Sequence, residues 1–403
     1  MTHCSLIAQT WRKQTKINTL GRFYFSCAVD FSKAFNRQNH NILVTKLSDM
    51  GVPGWLLHIV MGFLSDRVLK VRYKGVTATA KDLPGGGPQG TLLGLLLFLI
   101  LINFCGFDNA QTKLGEVITN KKRKFQPSTL HAKYVDDLTL LESFNLKQTV
   151  ASNPGRPLPD NYHARLGQKM DEGKSKIYAQ LSKIEEYAHA NEMKINCKKT
   201  KFMFFNPTET FDFIPDYELE GNQLETQEEM KILVLTLSND LKWRSNTDNM
   251  TTKAYGRLWM IKRLQKAGAN LEDLTDIYIK QVRSVLEFGV PVWNSGLTKE
   301  ESSDIERVQK AFLHIALGQA YTSYENALNM SKLETLEYRR ENLCFKFAKK
   351  ATKHPKHCSW FVEADPNAPD TRSNKQKYKT PLCRLNRFKK SPIPYLTSLL
   401  NKE

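Results

Sequence analysis

Three aspartates occupy positions from which their carboxylates could share a divalent cation. Asp30 ends an apolar segment, residues 23–29, that is typical of a short buried strand, and Asp136 and Asp137 lie in a turn between two apolar segments. Carboxylates between apolar neighbours repel one another unless a cation neutralises them, and hard oxygen ligands suit Mg²⁺. Two such ions about 3.5–4 Å apart would favour an in-line phosphoryl displacement. An Asp-Asp pair is also ordinary turn chemistry, so the pair alone leaves both interpretations open.

A glycine-rich loop, residues 85–90, offers a second kind of chemistry. Its glycines let the backbone approach a ligand closely, and the apolar helix that follows presents an N-terminus that favours anions. The loop also fits the dinucleotide-binding pattern GxGxxG. We reject that site because a predicted hairpin precedes the loop in place of a buried βα turn, and no acidic ribose partner stands at the expected distance.

Hydrophobic periodicity and turn residues predict the elements that position these residues. The predicted helices are residues 39–50, 54–64, a buried helix over 92–102, a long helix after residue 160, and an amphipathic helical region over 245–350. The predicted strands are residues 23–29, a hairpin over 68–80, a strand-turn-strand unit over 133–142, and single strands over 199–206 and 230–237.

The charge balance favours a polyanionic partner. The 403 residues include 59 Lys and Arg against 41 Asp and Glu, a formal net charge of +18. This predicts a nucleic acid first and an anionic membrane surface second. The most apolar segment is shorter than the ~17–25 residues of a membrane helix, so we expect no membrane span. Seven scattered cysteines without a CxxC pair favour a reducing compartment, and the N-terminus lacks the apolar core of a signal peptide, so we do not expect secretion.

Four motifs follow one another along the chain. They are DFSKAFNRQNHNIL from Asp30, GGGPQGTLLGLLLFLILIN from Gly85, YVDD from Tyr134 and NCKKTKFMFF around Lys199, with KILVLTLSNDLKW behind them. In this order and spacing they resemble the reverse transcriptase of a LINE-type (non-LTR) retrotransposon of the jockey-like kind. The resemblance covers roughly residues 23–318 and, more weakly, the end of the chain.

The resemblance implies an α+β fold: a right-hand polymerase palm, built of an antiparallel sheet with helices, with partial fingers and then an all-helical thumb. The expected segments are an N-terminal remnant over residues 1–22, palm and partial fingers over 23–244, the thumb over 245–350 and a basic tail over 351–403. Only 29 residues precede Asp30, so we expect the chain to lack an endonuclease domain and the finger motifs that supply cations to the nucleotide.

The resemblance also implies roles for particular residues. Asp30, Asp136 and Asp137 would be the catalytic carboxylates that bind Mg²⁺, or Mn²⁺ in its place, and Lys199 would help pyrophosphate to leave. Phe35 matches the aromatic residue beneath the sugar that selects deoxynucleotides, with burial in the core as the alternative. The remaining substrate-binding residues, those of the nucleotide and template loop, are Gly86, Pro88, Gln89 and Gly90. Lys199 could equally be a solvated lysine.

Further implications concern partners. The family uses an RNA template, a DNA primer and deoxynucleoside triphosphates, and its primer-gripping hairpin matches residues 231–243. Lys280 and Arg283 in the helical region could contact phosphates, although amphipathic packing explains their spacing equally well.

Several positions depart from the family pattern, such as Asn36 in place of Asp and Val234 in place of Gly. None of these departures removes a predicted metal ligand. Three interpretations stay open: an RNA-directed DNA polymerase, a catalytically dead remnant that binds nucleic acid, and a product that hardly folds. Template choice and oligomeric state are not predicted.

Overall fold

Two compact units make up the described part of the chain. The computed structural model describes residues 22–83, 85–103, 129–134, 137–145, 162–205, 217–355, 357–364, 376–383 and 386–402. The division between the units falls after Glu228. The predicted boundary lay after residue 244, beyond a hairpin that the structure places in the second unit. Strands and helices occur together, as the predicted α+β class requires.

The first unit contains ten strands among its described residues. They are β1 (Arg22–Val29), β2 (Val68–Leu69), β3 (Arg72–Tyr73), β4 (Val76–Thr77), β5 (Lys81–Asp82), β6 (Thr129–Tyr134), β7 (Asp137–Asn145), β8 (Lys201–Phe205), β9 (Tyr217–Leu219) and β10 (Asn222–Leu224). Its helices are α1 (His40–Asp49), α2 (Gly54–Leu64), α3 (Leu92–Asn103) and α4 (Tyr162–Ala190), with a 3₁₀ turn over Ala34–Arg37.

The main sheet has the strand order β6-β7-β1-β8, and each neighbouring pair is antiparallel. In β1, Val29 pairs with Leu138 of β7, and Ala28 pairs with Lys201 of β8. Because antiparallel neighbours run in opposite directions, the end of β1 lies at the same edge as the starts of β7 and β8. This edge, which is formed by strand ends and not by an outer strand, carries the residues of the candidate site.

Short-range signals determine where α1 begins and ends. The Asn39 side chain accepts hydrogen bonds from the backbone N–H groups of Asn41 (2.9 Å) and Ile42 (3.2 Å), which makes it the N-cap. Gly51 follows the helix with a φ of 79°, a value that glycine adopts without strain. The observed helix therefore lies within one residue of the predicted one at each end.

Helix α3 is buried on one face only, whereas we predicted a buried helix. Leu97, Phe98 and Leu101 lie in the core, but Leu92 is 90% exposed and Leu96 is 52% exposed. The helix packs on α1 along one side. Apolar residues occur on every face of this helix, so the hydrophobic periodicity does not indicate which face packs against a neighbour. The exposed face therefore could not be predicted from the sequence.

The second unit is a hairpin followed by helices. The hairpin consists of β11 (Glu229–Ile232) and β12 (Leu235–Ser238). The described helices are α5 (Arg244–Lys266), α6 (Leu271–Ile277), α7 (Ser284–Leu286), α8 (Val290–Trp293), α9 (Lys299–Leu317), α10 (Tyr324–Ser331), α11 (Leu336–Lys353), α12 (Asn386–Lys389) and α13 (Pro392–Leu400). A π-helical turn, Tyr278–Arg283, joins α6 to α7. None of the helices that the structure describes is long and apolar enough to span a membrane.

The hairpin corrects the prediction of a single strand over residues 230–237. Ile232 pairs with Leu235, so Leu233 and Val234 form a two-residue turn in the middle of that apolar segment. Leu233 adopts a φ of 56°, which a leucine rarely does. Neither residue is a typical turn residue, and for this reason the sequence pattern did not indicate the reversal.

Part of the predicted basic tail belongs to the core of the second unit. Helix α13 packs against α11 and α8. Ile393, Leu396 and Leu399 on this helix are buried. The segment that precedes α13 is basic, but α13 itself is apolar, and hydrophobic burial determines where it lies.

Candidate active site

Asp30 and Lys199 meet at the edge of the main sheet. The Asp30 N–H donates to Thr200 Oγ1 (3.3 Å), and the Asp30 carbonyl accepts from the Asn196 N–H (2.8 Å). Lys199 lies in the turn before β8, because the observed strand begins at Lys201 and not at residue 199 as predicted. Its Nζ is 3.9 Å from Asp30 Oδ2, and its side chain is 72% exposed. The structure therefore brings together two residues that are 169 positions apart in the sequence.

Asp137 begins β7 next to the end of β1. Val29 pairs with Leu138, so Asp30 and Asp137 each flank the same cross-strand pair. The Asp137 backbone pairs with that of Tyr134, the last residue of β6. The predicted ligand Asp136 lies outside the described residues. The sheet register thus carries the Asp137 backbone and the Asp30 carboxylate to one edge.

Asp30 is the predicted metal ligand whose side chain the structure describes at this edge. Its carboxylate is a hard oxygen donor of the kind that Mg²⁺ prefers, and the side chain is 28% exposed although its Oδ2 atom is buried. Among the side chains that the structure describes, no three His, Cys, Asp or Glu residues lie close enough together to hold one metal ion. The donor type of Asp30, a carboxylate oxygen, is the observation that fits Mg²⁺.

The glycine loop packs against the segment that follows Asp30. The N–H of Gly86 donates to the Gln38 carbonyl (2.9 Å), and the N–H of Gly87 donates to the Phe35 carbonyl (2.7 Å). Gly86 has a φ of 79°, and a Cβ added there would lie 2.8 Å from the Asn36 Cα. Glycine is therefore required at position 86 both by conformation and by space.

Two side chains that the sequence analysis missed hold this loop. Arg67 Nη2 donates to the carbonyl of Gly85 (2.8 Å) and to the carbonyl of Gly86. His40 Nε2 lies 2.8 Å from the same Gly86 carbonyl. A carbonyl only accepts, so Nε2 of His40 carries the proton. His40 lies in the motif that begins at Asp30, ten residues after that aspartate, and its place in the motif could have indicated a role. Arg67 lies in none of the four motifs.

Phe35 lines a cavity with the end of the glycine loop. Its ring stacks on the buried Phe98 ring with centroids 4.3 Å apart. The cavity has a volume of about 430 Å³ and is lined by Phe35, Gln89, Gly90, Thr91, Leu92 and Leu95. Three predicted substrate-binding residues therefore surround one space. Pro88 lies beside it, because its carbonyl accepts a hydrogen bond from Oγ1 of the lining residue Thr91 (3.1 Å).

Gln38 is a buried polar residue beside the glycine loop. It is 1% exposed, and neither atom of its side-chain amide has a hydrogen-bond partner among the described residues. The amide packs against Gly87, where an added Cβ would lie 2.5 Å from Gln38 Oε1. A buried amide without partners destabilises the folded state by about 1–3 kcal/mol.

The predicted phosphate contacts in the second unit are engaged in ion pairs. Arg283 Nε lies 3.5 Å from Glu287 Oε1, and its side chain is only 12% exposed. Burial, and then the neighbouring charge of Arg339, lower the pKa of Arg283. Lys280 pairs with Asp276 at 2.6 Å on the surface. Arg283 therefore has little capacity left for a phosphate, whereas Lys280 remains accessible.

Sequence comparison identifies curated relatives. The chain is 23% identical over 269 residues to “Probable RNA-directed DNA polymerase from transposon BS” of Drosophila melanogaster, a match that covers 66% of this chain and 26% of the relative. It is 22% identical over 333 residues to “RNA-directed DNA polymerase from mobile element jockey” of the same organism, covering 81% and 32%. The resemblance to jockey-like non-LTR elements is confirmed, at low identity. The chain spans about a quarter to a third of these relatives, and no family model matches it.

Solved structures give a weaker likeness. Apo telomerase of Candida tropicalis truncated from its C-terminal domain is 15% identical, with a TM-score of 0.34 over 59% of this chain and 38% of that one. Telomerase of Candida albicans with a fragment of telomeric RNA is 12% identical, with a TM-score of 0.35 over 88% and 53%. TM-scores this low do not establish a shared fold.

Proposed function

We propose that this chain is part of an RNA-directed DNA polymerase of a non-LTR retrotransposon. In the proposed reaction the 3′-hydroxyl of a DNA primer attacks the α-phosphate of a deoxynucleoside triphosphate on an RNA template. The first unit would be the palm with partial fingers, and the second unit would be the thumb with the primer-gripping hairpin. The net charge of +18 suits a protein that holds two nucleic-acid strands.

One observation carries this proposal: the edge of the sheet at which Asp30, the start of β7 and Lys199 meet, in a chain whose relatives are named as RNA-directed DNA polymerases. Asp30, Asp136 and Asp137 would hold two Mg²⁺ or Mn²⁺ ions. When bound, these ions would neutralise charge on the attacking and leaving oxygens.

The chain's own residues would bind and orient the substrates. Lys199 Nζ, exposed beside Asp30, would stabilise negative charge on the leaving pyrophosphate. The flat ring of Phe35 in the cavity wall would lie under the sugar and clash with a 2′-hydroxyl. Gln89 and Gly90 across the cavity would contact the nucleotide and template. Arg67 and His40 would keep the glycine loop in one conformation, which favours a fixed substrate geometry.

Primer extension on an RNA template tests the proposal. Asp30→Asn keeps the size of the side chain but removes its charge, and we expect it to reduce extension at least about a hundredfold. Asp136→Ala should do the same. Asp49→Asn is the matched control, because Asp49 is an exposed aspartate of the same unit at the end of α1 and should leave extension unchanged. Equal extension by wild type and Asp30→Asn would refute the polymerase assignment.

A second candidate is a catalytically dead remnant that binds nucleic acid. The departures from the family pattern at Asn36 and Val234 favour it, and the net charge of +18 that would bind nucleic acid does not depend on catalysis. Salt-dependent RNA binding without any extension by the wild-type chain would support this candidate over the polymerase.

A further inference from the structure

A hairpin arm, defined as residues 68–82, leaves all of its residues exposed. Strand β2 pairs with β5 and β3 pairs with β4. Between them the Ala78 N–H donates to the Val71 carbonyl at 2.8 Å, so the two ladders form one arm. Lys74 and Gly75 form its tip, with φ values of 47° and 85° that suit a tight two-residue hairpin turn.

The arm exposes large apolar side chains. Each is at least half exposed: Val68, Leu69, Val71, Tyr73 and Val76. Tyr73 and Val76 form a cross-strand pair near the tip, and Tyr73 is 71% exposed. A cluster of this kind on a solvated hairpin indicates a surface that contacts a partner.

The charges of the arm select the chemistry of that partner. Four cations, Lys70, Arg72, Lys74 and Lys81, accompany one acid, Asp82. No ion pair joins these cations to an acid within the part of the chain that the structure describes. Lys74 Nζ lies 5.5 Å from the centre of the Tyr73 ring. Cations beside an exposed aromatic ring fit a single-stranded nucleic acid, whose phosphates pair with the cations and whose unstacked bases stack on the ring.

The base of the arm joins the glycine loop. Arg67 precedes β2 and donates to the carbonyls of Gly85 and Gly86, while its own carbonyl accepts from the Leu83 N–H at 2.8 Å. A strand held at the glycine loop would therefore lie next to the base of the arm and could continue along it.

We propose that the arm binds the single-stranded RNA template next to the glycine loop. Tyr73 stacks on a template base, and Lys74 beside the ring contacts a template phosphate. Arg72 precedes Tyr73 in β3 and therefore faces the other side of the arm, where it contacts, with Lys70, the phosphates of a template that wraps round the arm. The identity of the strand as the template rests on the proposed function, whereas its single-stranded nucleic-acid chemistry rests on the residues of the arm.

Fluorescence anisotropy with the full chain and a labelled single-stranded RNA of mixed sequence tests the arm. We expect Tyr73→Ala to weaken binding at least about fivefold and Tyr73→Phe to bind as wild type does, because stacking needs the ring but not the hydroxyl. Binding of an RNA duplex, whose bases are already stacked, should change less with Tyr73→Ala. Because Tyr73 is exposed, neither variant should alter the melting temperature.

A triple charge variant distinguishes RNA affinity that comes from the arm from affinity that comes from the net charge of the chain. Changing Lys70, Arg72 and Lys74 together to Gln should weaken single-stranded binding and reduce the slope of log K against log salt by about 2. Changing Lys346, Lys350 and Lys353 together to Gln removes the same charge from the exposed face of α11 and should have a much smaller effect.

Equal binding by Tyr73→Ala and Tyr73→Phe, or equal losses in the two triple variants, would overturn the proposal. So would a change of self-association in Tyr73→Ala with unchanged RNA affinity, because the arm would then be a protein interface. The outcome is independent of catalysis. Arm-dependent RNA binding without primer extension would support the arm and refute the polymerase assignment, and extension with arm-independent binding would do the reverse.

Discussion

At the scale of single residues, the glycine loop depends on Gly86. Its φ of 79° excludes most side chains, and the atoms that an added Cβ would meet, Asn36 Cα, Asn36 O and Phe35 O, all belong to the backbone. Backbone cannot move aside as the end of a flexible side chain can. A side chain here would therefore separate the loop from the 3₁₀ turn that carries Phe35.

Gly86→Ala is expected to destabilise the first unit by well over 1 kcal/mol, because strain at positive φ adds to a backbone clash. Gly51→Ala is the matched control, since Gly51 has the same φ of 79° and nothing within 4 Å of its added Cβ. That control should cost about 1 kcal/mol, from strain alone. Denaturant unfolding of both variants measures the difference, and equal losses would contradict the close packing of the loop against residues 35–38.

At the scale of elements, the β11–β12 hairpin is tied to α5 by the turn around Asp240. Asp240 Oδ1 accepts from Ser238 Oγ (2.6 Å) and from the Lys242 N–H (2.9 Å), and Lys242 Nζ lies 2.8 Å from Oδ2. Burial tends to raise the pKa of Asp240, but the hydrogen bonds and the charge of Lys242 outweigh it and lower the pKa below its ordinary value. The folded state thus favours the ionised carboxylate.

Asp240→Asn should lower the free energy of unfolding of the second unit by about 1 kcal/mol at neutral pH. Because the folded pKa is depressed, the stabilisation is present above the unfolded value of 3.8 and is lost as pH falls through the folded pKa. Urea unfolding at pH 7 and near pH 3 should therefore show a smaller difference from wild type at the acid pH. Asp276→Asn, which breaks an exposed pair with Lys280, should change stability by less than about 0.5 kcal/mol. A difference that grows in acid would contradict this account of Asp240.

At the scale of the whole molecule, each compact unit encloses a cysteine that reports on its folding. Cys27 in the first unit and Cys344 in the second are both 0% exposed. Burial raises the pKa of each thiol to about 12. Cys358 in the second unit is exposed. Since the thiolate is the reactive form, the two buried residues should be protected twice, by access and by protonation.

In native buffer, a thiol reagent such as DTNB should modify Cys358 at least about a hundredfold faster than Cys27 or Cys344. Peptide mapping after timed quenching follows each residue separately, and the same reaction in denaturant provides the unprotected rates. Protection of Cys27 without protection of Cys344 would mean that only the first unit folds. Equal rates at all three residues would identify the product as one that hardly folds.

Much of the local structure follows from the sequence because its causes lie within a few residues. The N-cap at Asn39, the glycine after α1 and the spacing of Ile177, Leu181 and Ile184 on α4 each act over one or two helical turns. The motifs could also be identified from the sequence, because residue type and order are enough to compare them with relatives. Net charge is a sum over the chain and needs no structure at all.

Only the tertiary structure decided which of these residues come together. The pairing of Val29 with Leu138 and the approach of Lys199 to Asp30 depend on strand register over more than a hundred residues, which no local pattern encodes. The burial of α13 and the hydrogen bonds of Arg67 to the glycine loop have the same origin. Each depends on a neighbour that is distant in sequence, and packing against that neighbour overrides the local preference of the segment.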